Sequence, residues 1–490
     1  MRTLNPLLLA SLLGIAVLGG GCARNPVTGG TDVTMVSEKG EIEQGRKAHE
    51  QVINFYGVYE DQALQDYVNE VGQKLARASH RPDLEWHFTV VDADDINAFA
   101  LPGGYIYITR GIMAYLNSEA ELAAVLGHEI GHVTARHQVR QQTQQTLTGI
   151  LGAGAAIFTG NRAVADLANI GGQALLSGYG RDMELEADRL GAEYLGKTGY
   201  NPQAMIEVIG VLKNQETFEM QRAREEGREP RVYHGVFASH PSADQRLQQA
   251  VGLAKPTAKE GDLRVGKEDY FRRIDGLAFG SSRQQGIVRD NRFYHAGLGI
   301  TIAFPKDWVV LNQRNRLVAH TRTQDALLQI TVDGRPDKTT PREYLQKQIG
   351  DRGMTAGQEL NFNGFEGYAM IARSGSPLDR GAGPVRYAAV YRDKLVYVFA
   401  AASRSSQDAI PAHDRVFLST FQTLRPLKPS EFPLAEPNRI RLVKAQSGTN
   451  IEQLATGSPI LKYPVQTLRL INDLYPKKEP EPGQIVKVVD

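Results

Sequence analysis

The hydrophobic period changes several times along this chain. An apolar run, Leu7 to Leu18, follows a lone positive charge at Arg2 and gives way to small residues before Cys22. Asn25 to Lys39 has no period and reads as a loop. In EDQALQDYVNEVGQKLARAS, Glu60 to Ser79, leucine and valine recur at helical spacing. EWHFTVVD (Glu85 to Asp92) and YIYIT (Tyr105 to Thr109) alternate as strands do, the second after a Pro102-Gly103-Gly104 turn. From Ser118 the pattern is helical to about Leu253, with breaks near Gly178 to Gly180 and Gly199 to Pro202. Within that region Leu147 to Phe158 is apolar and rich in Gly and Ala; it is too short to span a bilayer and predicts a closely packed buried helix.

Beyond Ala254 to Asp262, a polar linker, the period becomes that of strands. LGITIAFPKDWVV, ALLQITVDG, GYAMIARSG and VRYAAVYRDKLVYVFAAAS alternate or run apolar over strand lengths, with helices near Pro341 to Ile349 and Ala409 to Phe421. This predicts an α+β domain over 262–427 with a mainly antiparallel sheet. A second linker, Pro426 to Asn438, precedes a last module, 439–490. No internal repeat is present.

At 490 residues the chain is too long for one core. The composition, 41% hydrophobic and 23% charged, is that of an ordinary globular protein, and a net charge of +1 gives no reason to expect nucleic acid as a partner. The start has the form of a secretory signal, 1–21, because its apolar core is too short to cross roughly 30 Å of hydrocarbon. Cys22, the only cysteine, stands where a bacterial lipobox places the acylated residue, although Gly19 occupies the usual Leu position. We therefore expect a lipid on Cys22, a linker over 22–39, and, with Ala23 following, an outer-membrane lipoprotein facing the periplasm.

The sharpest chemistry lies in LGHEIGH. Four residues apart on a helix, His128 and His132 project from one face and can share a metal ion. Glu129 is placed to approach a water on that ion as general base. Such a site needs a third ligand. Metzincins place a glycine and a histidine shortly after the motif, where this chain has Ala135 and Gln138, so that class is excluded. His137, five residues after His132 and off the metal face, reads as a surface or packing histidine. Fifty-two residues beyond His132, in YGRDMELEADRLG, Glu184 and Asp188 lie four apart on a helix. One carboxylate could ligate the metal while the other orients a ligand histidine, and Glu186 reads as a solvent residue.

HEIGH, RDMELEADRLG, NAFALPGGYIYITRG (Asn97 to Gly111) and ASHPSADQR (Ala238 to Arg246) together resemble the HtpX and CAAX-prenyl-protease family of zinc metallopeptidases, peptidase family M48, over roughly Gly40 to Leu253. The resemblance implies one zinc ion held by His128, His132 and Glu184, Glu129 as general base, and Asp188 as support behind the ligands. It implies a substrate edge at Asn97, Ala98, Phe99, Ala100, Pro102, Gly103 and Gly104, where an unfolded chain adds as a strand. It also brings His240 and Arg246 near the site. His240 could donate to the oxyanion, bind the metal and hold the enzyme latent, or simply cap the next helix.

The chain lacks the long membrane helices of the embedded relatives and looks like the lipoprotein branch. Residues 262–427 weakly resemble a PsbP-like fold, which implies no activity. Residues 439–490 are similar to a LysM module, strand, two short helices, strand, with Ser447-Gly448-Thr449 where Gly-Asp-Thr is usual. That implies peptidoglycan as a further partner.

The fold class expected is thus α+β multidomain: a mainly helical zincin-type domain with a small sheet over 40–253, the α+β domain, and the LysM-like module. The function expected is a zinc metalloendopeptidase of the cell envelope acting on misfolded or misassembled envelope proteins. A non-catalytic or latent envelope chaperone or peptidoglycan-binding lipoprotein with a plugged zinc site is the alternative, against which the intact Glu129 speaks.

Overall fold

The computed structural model describes residues 21–34, 36–144, 179–228, 230, 262–350, 352–379, 381, 383–404 and 410–490. The signal segment before residue 21, the apolar run Leu147 to Phe158, the segment carrying His240 and Arg246, and the first linker up to 261 lie outside the described residues. Cys22 stands in β1 (Gly21–Arg24), which pairs antiparallel with β2 (Thr31–Thr34).

The chain forms two compact units, one made of the residues up to Phe279 together with Arg439–Asp490, the other of Gly280–Asn438. In the first, α1 (Glu38–Tyr56) starts at Ser37, whose side chain accepts from the Gly40 amide. Helix α2 (Gln62–Arg77) is capped by Asp61 and buries Leu64, Val68, Val71 and Leu75, the stripe its sequence spacing predicts. A three-stranded sheet follows, β3 (His87–Val91), β4 (Ala98–Leu101) and β5 (Tyr105–Thr109), in the order β3-β5-β4. β4 runs antiparallel to β5 at the sheet's edge, and β3 runs parallel to β5. After α3 (Arg110–Tyr115), Ser118 caps α4 (Glu119–Thr134), which is buried along nearly its whole length and carries LGHEIGH. Then come α5 (Arg181–Lys197), α6 (Ala204–Glu225), α7 (Lys267–Ile274) and β6 (Ala278–Phe279).

The second unit holds two antiparallel sheets. One contains β7 (Ile287–Arg289), β8 (Arg292–His295), β9 (Ile300–Ala303) and β17 (Arg425–Pro426), in the order β17-β9-β8-β7. The other has seven strands, β10 (Val309–Gln313), β11 (Arg316–His320), β12 (Ala326–Gly334), β13 (Met354–Phe362), β14 (Phe365–Ala372), β15 (Val385–Arg392) and β16 (Leu395–Ser403), in the order β10-β11-β12-β16-β15-β14-β13. Along β16 successive side chains serve opposite faces. Tyr397, Phe399 and Ala401 enter a core with Phe417 and Phe421 of α9 (Asp414–Phe421), while Val396 enters one with Tyr344, Leu345 and Ile349 of α8 (Pro341–Ile349). A reciprocal Thr340–Glu343 capping box sets the start of α8.

The chain then returns to the first unit through β18 (Asn438–Lys444), α10 (Ile451–Thr456), α11 (Pro464–Ile471) and β19 (Ile485–Val489). β18 pairs antiparallel with β19 and, on its other side, lies against β6. Ile440, Ile451, Leu468 and Val489 belong to the same buried core as Leu64, Ile106, Leu122 and Leu195. Each such side chain contributes about 1.5–3 kcal/mol by leaving water. The C-terminal residues Arg439–Asp490 therefore share the core of the first unit, and the second unit runs from Gly280 to Asn438.

The chain is thus α+β, with several antiparallel sheets. No helix of the described residues is long and apolar enough to cross a membrane.

Candidate metal centre

Helices α4 and α5 meet along a seam of small residues. A Cβ on Gly131 would stand 2.8 Å from the Ala187 carbonyl oxygen, and one on Gly191 would stand 3.0 Å from the His128 amide nitrogen. The glycines of LGHEIGH thus let two backbones approach as side chains elsewhere would forbid, and the adjacent polar residues are pressed together.

Among the described residues His128, His132 and Glu184 form one group able to hold a metal ion. The His128 and His132 Nε2 atoms are 3.0 Å apart, and Glu184 reaches them with Oε2 at 3.5 Å and Oε1 at 3.6 Å. Two ligand atoms about 2.0–2.1 Å from a tetrahedral ion stand about 3.3 Å apart, so this donor set suits a small cation of the zinc type. Asp188, one turn beyond Glu184, accepts at 2.9 Å from His128 Nδ1 and so turns that ring's Nε2 toward the group. Burial opposes a proton on His128, but the Asp188 and Glu184 carboxylates outweigh it and hold its pKa well above the ordinary histidine range. The same field favours a cation.

Glu129 lies on α4 beside His128 and is 1% exposed. Tyr179 stacks on the His132 ring at 4.1 Å between centroids. Its hydroxyl is pushed far up by burial and further by the charges of Glu129 and Glu184, so it stays protonated.

The end of β4 approaches the same place. A cavity of about 10 Å³, room for one water, is lined by Ala100, Leu101 and Pro102 on one side and by His132, Val133 and Tyr179 on the other. Gly103 and Gly104 form the turn that follows β4. At φ of 79° and 93° they turn the chain with no Cβ cost, and they pack against Ile42 and the Glu85 carbonyl. They shape the turn under α1 rather than line the cavity. Asn97 bonds Thr109 through its backbone, and its buried Oδ1 has no hydrogen-bond partner among the described residues.

Three features escaped the sequence reading. Helix α4 stops at Ala135, and Arg136 adopts φ of 55°. This left-handed residue reverses the chain and starts a new helical stretch over 137–144. His137, expected off the metal face, is consequently 0% exposed, and its Nδ1 lies 2.8 Å from His132 Nδ1. Its Nε2 lies 3.1 Å from Glu186, which also accepts at 2.8 Å from Arg140. Glu186, read as a solvent residue, is held well below the usual carboxylate range by the His137 hydrogen bond and then by Arg140.

The third feature is Glu41 of α1, 1% exposed. It accepts from Arg81 at 2.7 Å and from Arg136 at 2.8 Å and ties α1 to the end of α4. The string Ala135-Arg136-His137 contains no helix breaker, so no turn residue in the sequence signalled the end of α4.

The sequence that carries this site is similar to that of known proteins. Residues 62–254 match the model of the family described as Peptidase family M48. A beta-barrel assembly-enhancing protease of Yersinia pestis is 32% identical over 224 residues, 42% of this chain and 43% of that one. The protein of that name from Escherichia coli is 32% identical over 200 residues, 39% of each chain. A mitochondrial metalloendopeptidase OMA1 of Arabidopsis thaliana is 32% identical over 187 residues, 36% of this chain and 38% of that one. The chain thus spans less than half the length of these relatives. A cyanobacterial PsbP from Synechocystis aligns with a TM-score of 0.22 and 12% identity, covering 30% of this chain and 98% of that one. Over residues 62–254, where the histidines and carboxylates of the site reside, the chain is similar to peptidase family M48.

Proposed function

We propose that the chain is a zinc-dependent endopeptidase of the bacterial cell envelope, with the zinc held by His128 Nε2, His132 Nε2 and the Glu184 carboxylate. The observation that carries this is the convergence of those three groups with Asp188 behind His128 and an intact, buried Glu129 beside them. A purely structural ion would have no use for Glu129.

Bound there, zinc would supply Lewis acidity that polarises a peptide carbonyl and acidifies a water to near neutrality. The chain's own part is positional and protonic. Asp188 keeps the proton of His128 on Nδ1, which leaves the Nε2 lone pair facing the site. The Glu129 carboxylate takes a proton from the water as its oxygen bonds to the peptide carbon. It returns that proton to the nitrogen as the carbon–nitrogen bond breaks. The β4 edge offers main-chain groups to an extended substrate, which favours unfolded over folded proteins, and Ala100 to Pro102 bring that edge to His132. Together these make a zincin-type arrangement.

The names of the relatives support misassembled envelope proteins as the substrate class. The apolar start and Cys22 support a lipid anchor that keeps the enzyme at the outer membrane. Residues 438–489 run strand, helix, helix, strand, the order of a LysM-like module, and Asn472 at the end of α11 bonds both the amide and the carbonyl of Lys487.

The test is to incubate the purified mature chain with unfolded casein, with and without chelator, beside Glu129→Gln. Cleavage by the zinc-loaded wild type, lost with chelator and reduced about 10²–10⁴-fold in the variant, is expected. If wild type and variant are equally inert, and remain so in a His240→Ala background, the enzyme reading fails. Mass spectrometry of the mature terminus tests the anchor separately, since an unmodified end removes it.

A further inference from the structure

We propose that His137 and Glu186 are positioning residues that lock the His132 ring, as Asp188 locks His128. This deepens the zinc reading above and rests on it.

The hydrogen bonds admit one consistent proton order. The His132 Nε2 atom faces His128 and Glu184, at 3.0 and 3.6 Å, so it must keep its lone pair to serve as a ligand. The proton of a neutral His132 ring then resides on Nδ1. That atom lies 2.8 Å from His137 Nδ1, and two ring nitrogens at this distance need one donor and one acceptor. His132 donates, so His137 accepts at Nδ1 and carries its own proton on Nε2. Glu186, at 3.1 Å, receives that proton's hydrogen bond, and Arg140 at 2.8 Å keeps the carboxylate in place. The order therefore runs from carboxylate through His137 to His132, and every group in it has a single role.

Two further facts support positioning. His137 is fully buried, so no water competes for its Nδ1. Tyr179 stacks on His132 at 4.1 Å and restrains the ring's tilt, whereas the hydrogen bond to His137 restrains its rotation and tautomer. Helix α5 thus supplies one ligand, Glu184, and the carboxylates behind both histidines: Asp188 directly and Glu186 through His137. The spacing Glu184, Glu186, Asp188 in ELEAD acquires a reason for each acidic residue.

The experiment measures zinc affinity of the full mature chain by competition with a chromophoric chelator, independently of proteolysis. Wild type is compared with His137→Phe, which keeps volume without an acceptor, with His137→Asn, whose amide oxygen can accept near the Nδ1 position, and with Glu186→Ala. His128→Ala serves as the control for the site itself. His137→Phe is expected to weaken zinc binding about 10–100-fold, and His137→Asn to recover most of that loss. Glu186→Ala should fall between them. Wild-type affinity in His137→Phe, beside a weakened His128→Ala, overturns the inference and leaves the zinc reading standing. Equal affinity in wild type and His128→Ala overturns the zinc reading itself. Should His137→Phe fail to fold, Glu186→Ala decides: unchanged affinity there overturns the inference.

Discussion

Gly131 stands against Ala187 so closely that a Cβ on the glycine would come within 2.8 Å of the alanine's carbonyl oxygen. The contact joins the helix carrying both histidines to the helix carrying both carboxylates. We expect Gly131→Ala to push α4 away from α5, with a stability loss of about 1–3 kcal/mol and a larger proportional loss in zinc affinity. Chemical denaturation and chelator competition check the two effects. A variant with normal zinc affinity would show that the seam does not set the site.

The Glu41 carboxylate is shared by two buried arginines, Arg81 and Arg136. Removing it by Glu41→Ala leaves both guanidinium groups without that partner and frees Arg136, whose left-handed backbone itself costs about 1–2 kcal/mol. A loss of about 3–5 kcal/mol is expected, read as a lower urea midpoint. His137 would also lose its placement, so zinc affinity should drop with stability. A loss below 1 kcal/mol would mean that water replaces the carboxylate without difficulty.

Glu119 opens α4 and accepts from Tyr200 at 2.7 Å, Tyr67 at 3.1 Å and Arg264 at 2.6 Å. Burial alone would raise its pKa, but the Arg264 and tyrosine hydrogen bonds outweigh burial and hold it below the ordinary glutamate range. A carboxylate with a lowered folded-state pKa adds stability that is fully present above the unfolded value, about 4.3. That stability is lost as the pH falls through the folded value. Glu119→Gln should therefore be less stable than wild type at neutral pH, and the gap should shrink on acidification toward pH 3. Urea midpoints measured across that range test it, and a gap independent of pH would contradict the assignment.

Lys487 of β19 is fully buried and donates to the carbonyls of Ala114 and Leu116 at the end of α3, at 2.8 and 2.7 Å. Burial draws its pKa down. Truncation before Arg439 would remove Ile440, Ile451, Leu468 and Val489 from the shared core and leave these carbonyls without Lys487, so the first unit is not expected to fold without the last fifty or so residues. Lys487→Met, which keeps the packing, should cost about 1–3 kcal/mol through the two stranded carbonyls. A truncated chain that is folded and binds zinc as tightly as the full chain would refute the shared core.

Local pattern carried a good part of this protein. Helix α2, strands β3 and β5 and helix α8 formed within a residue or two of where period and turn residues put them, because the local period already fixes which side chains share a face, whichever neighbour covers it. The spacing of His128 and His132 was equally legible, since four residues on a helix fix a common face whatever surrounds it. Glu184 and Asp188 could be named as a pair for the same reason. The mistakes came where the chain turned without a turn residue. His137 was placed by extending α4 through Arg136, and no glycine or proline announced that the helix ends there.

The sequence by itself therefore determined the residue types able to hold a metal ion, their spacing and most of the elements that bear them. Tertiary structure alone decided which helix faces meet, that His137 and Glu186 stand behind His132, and that the C-terminal strands complete the first core. The difference is physical. Periodicity records how a segment divides its surface between water and apolar neighbours. Which neighbour fills that face depends on close approach at Gly131 and Gly191, on a buried charge at Glu41, and on contacts between residues hundreds of positions apart.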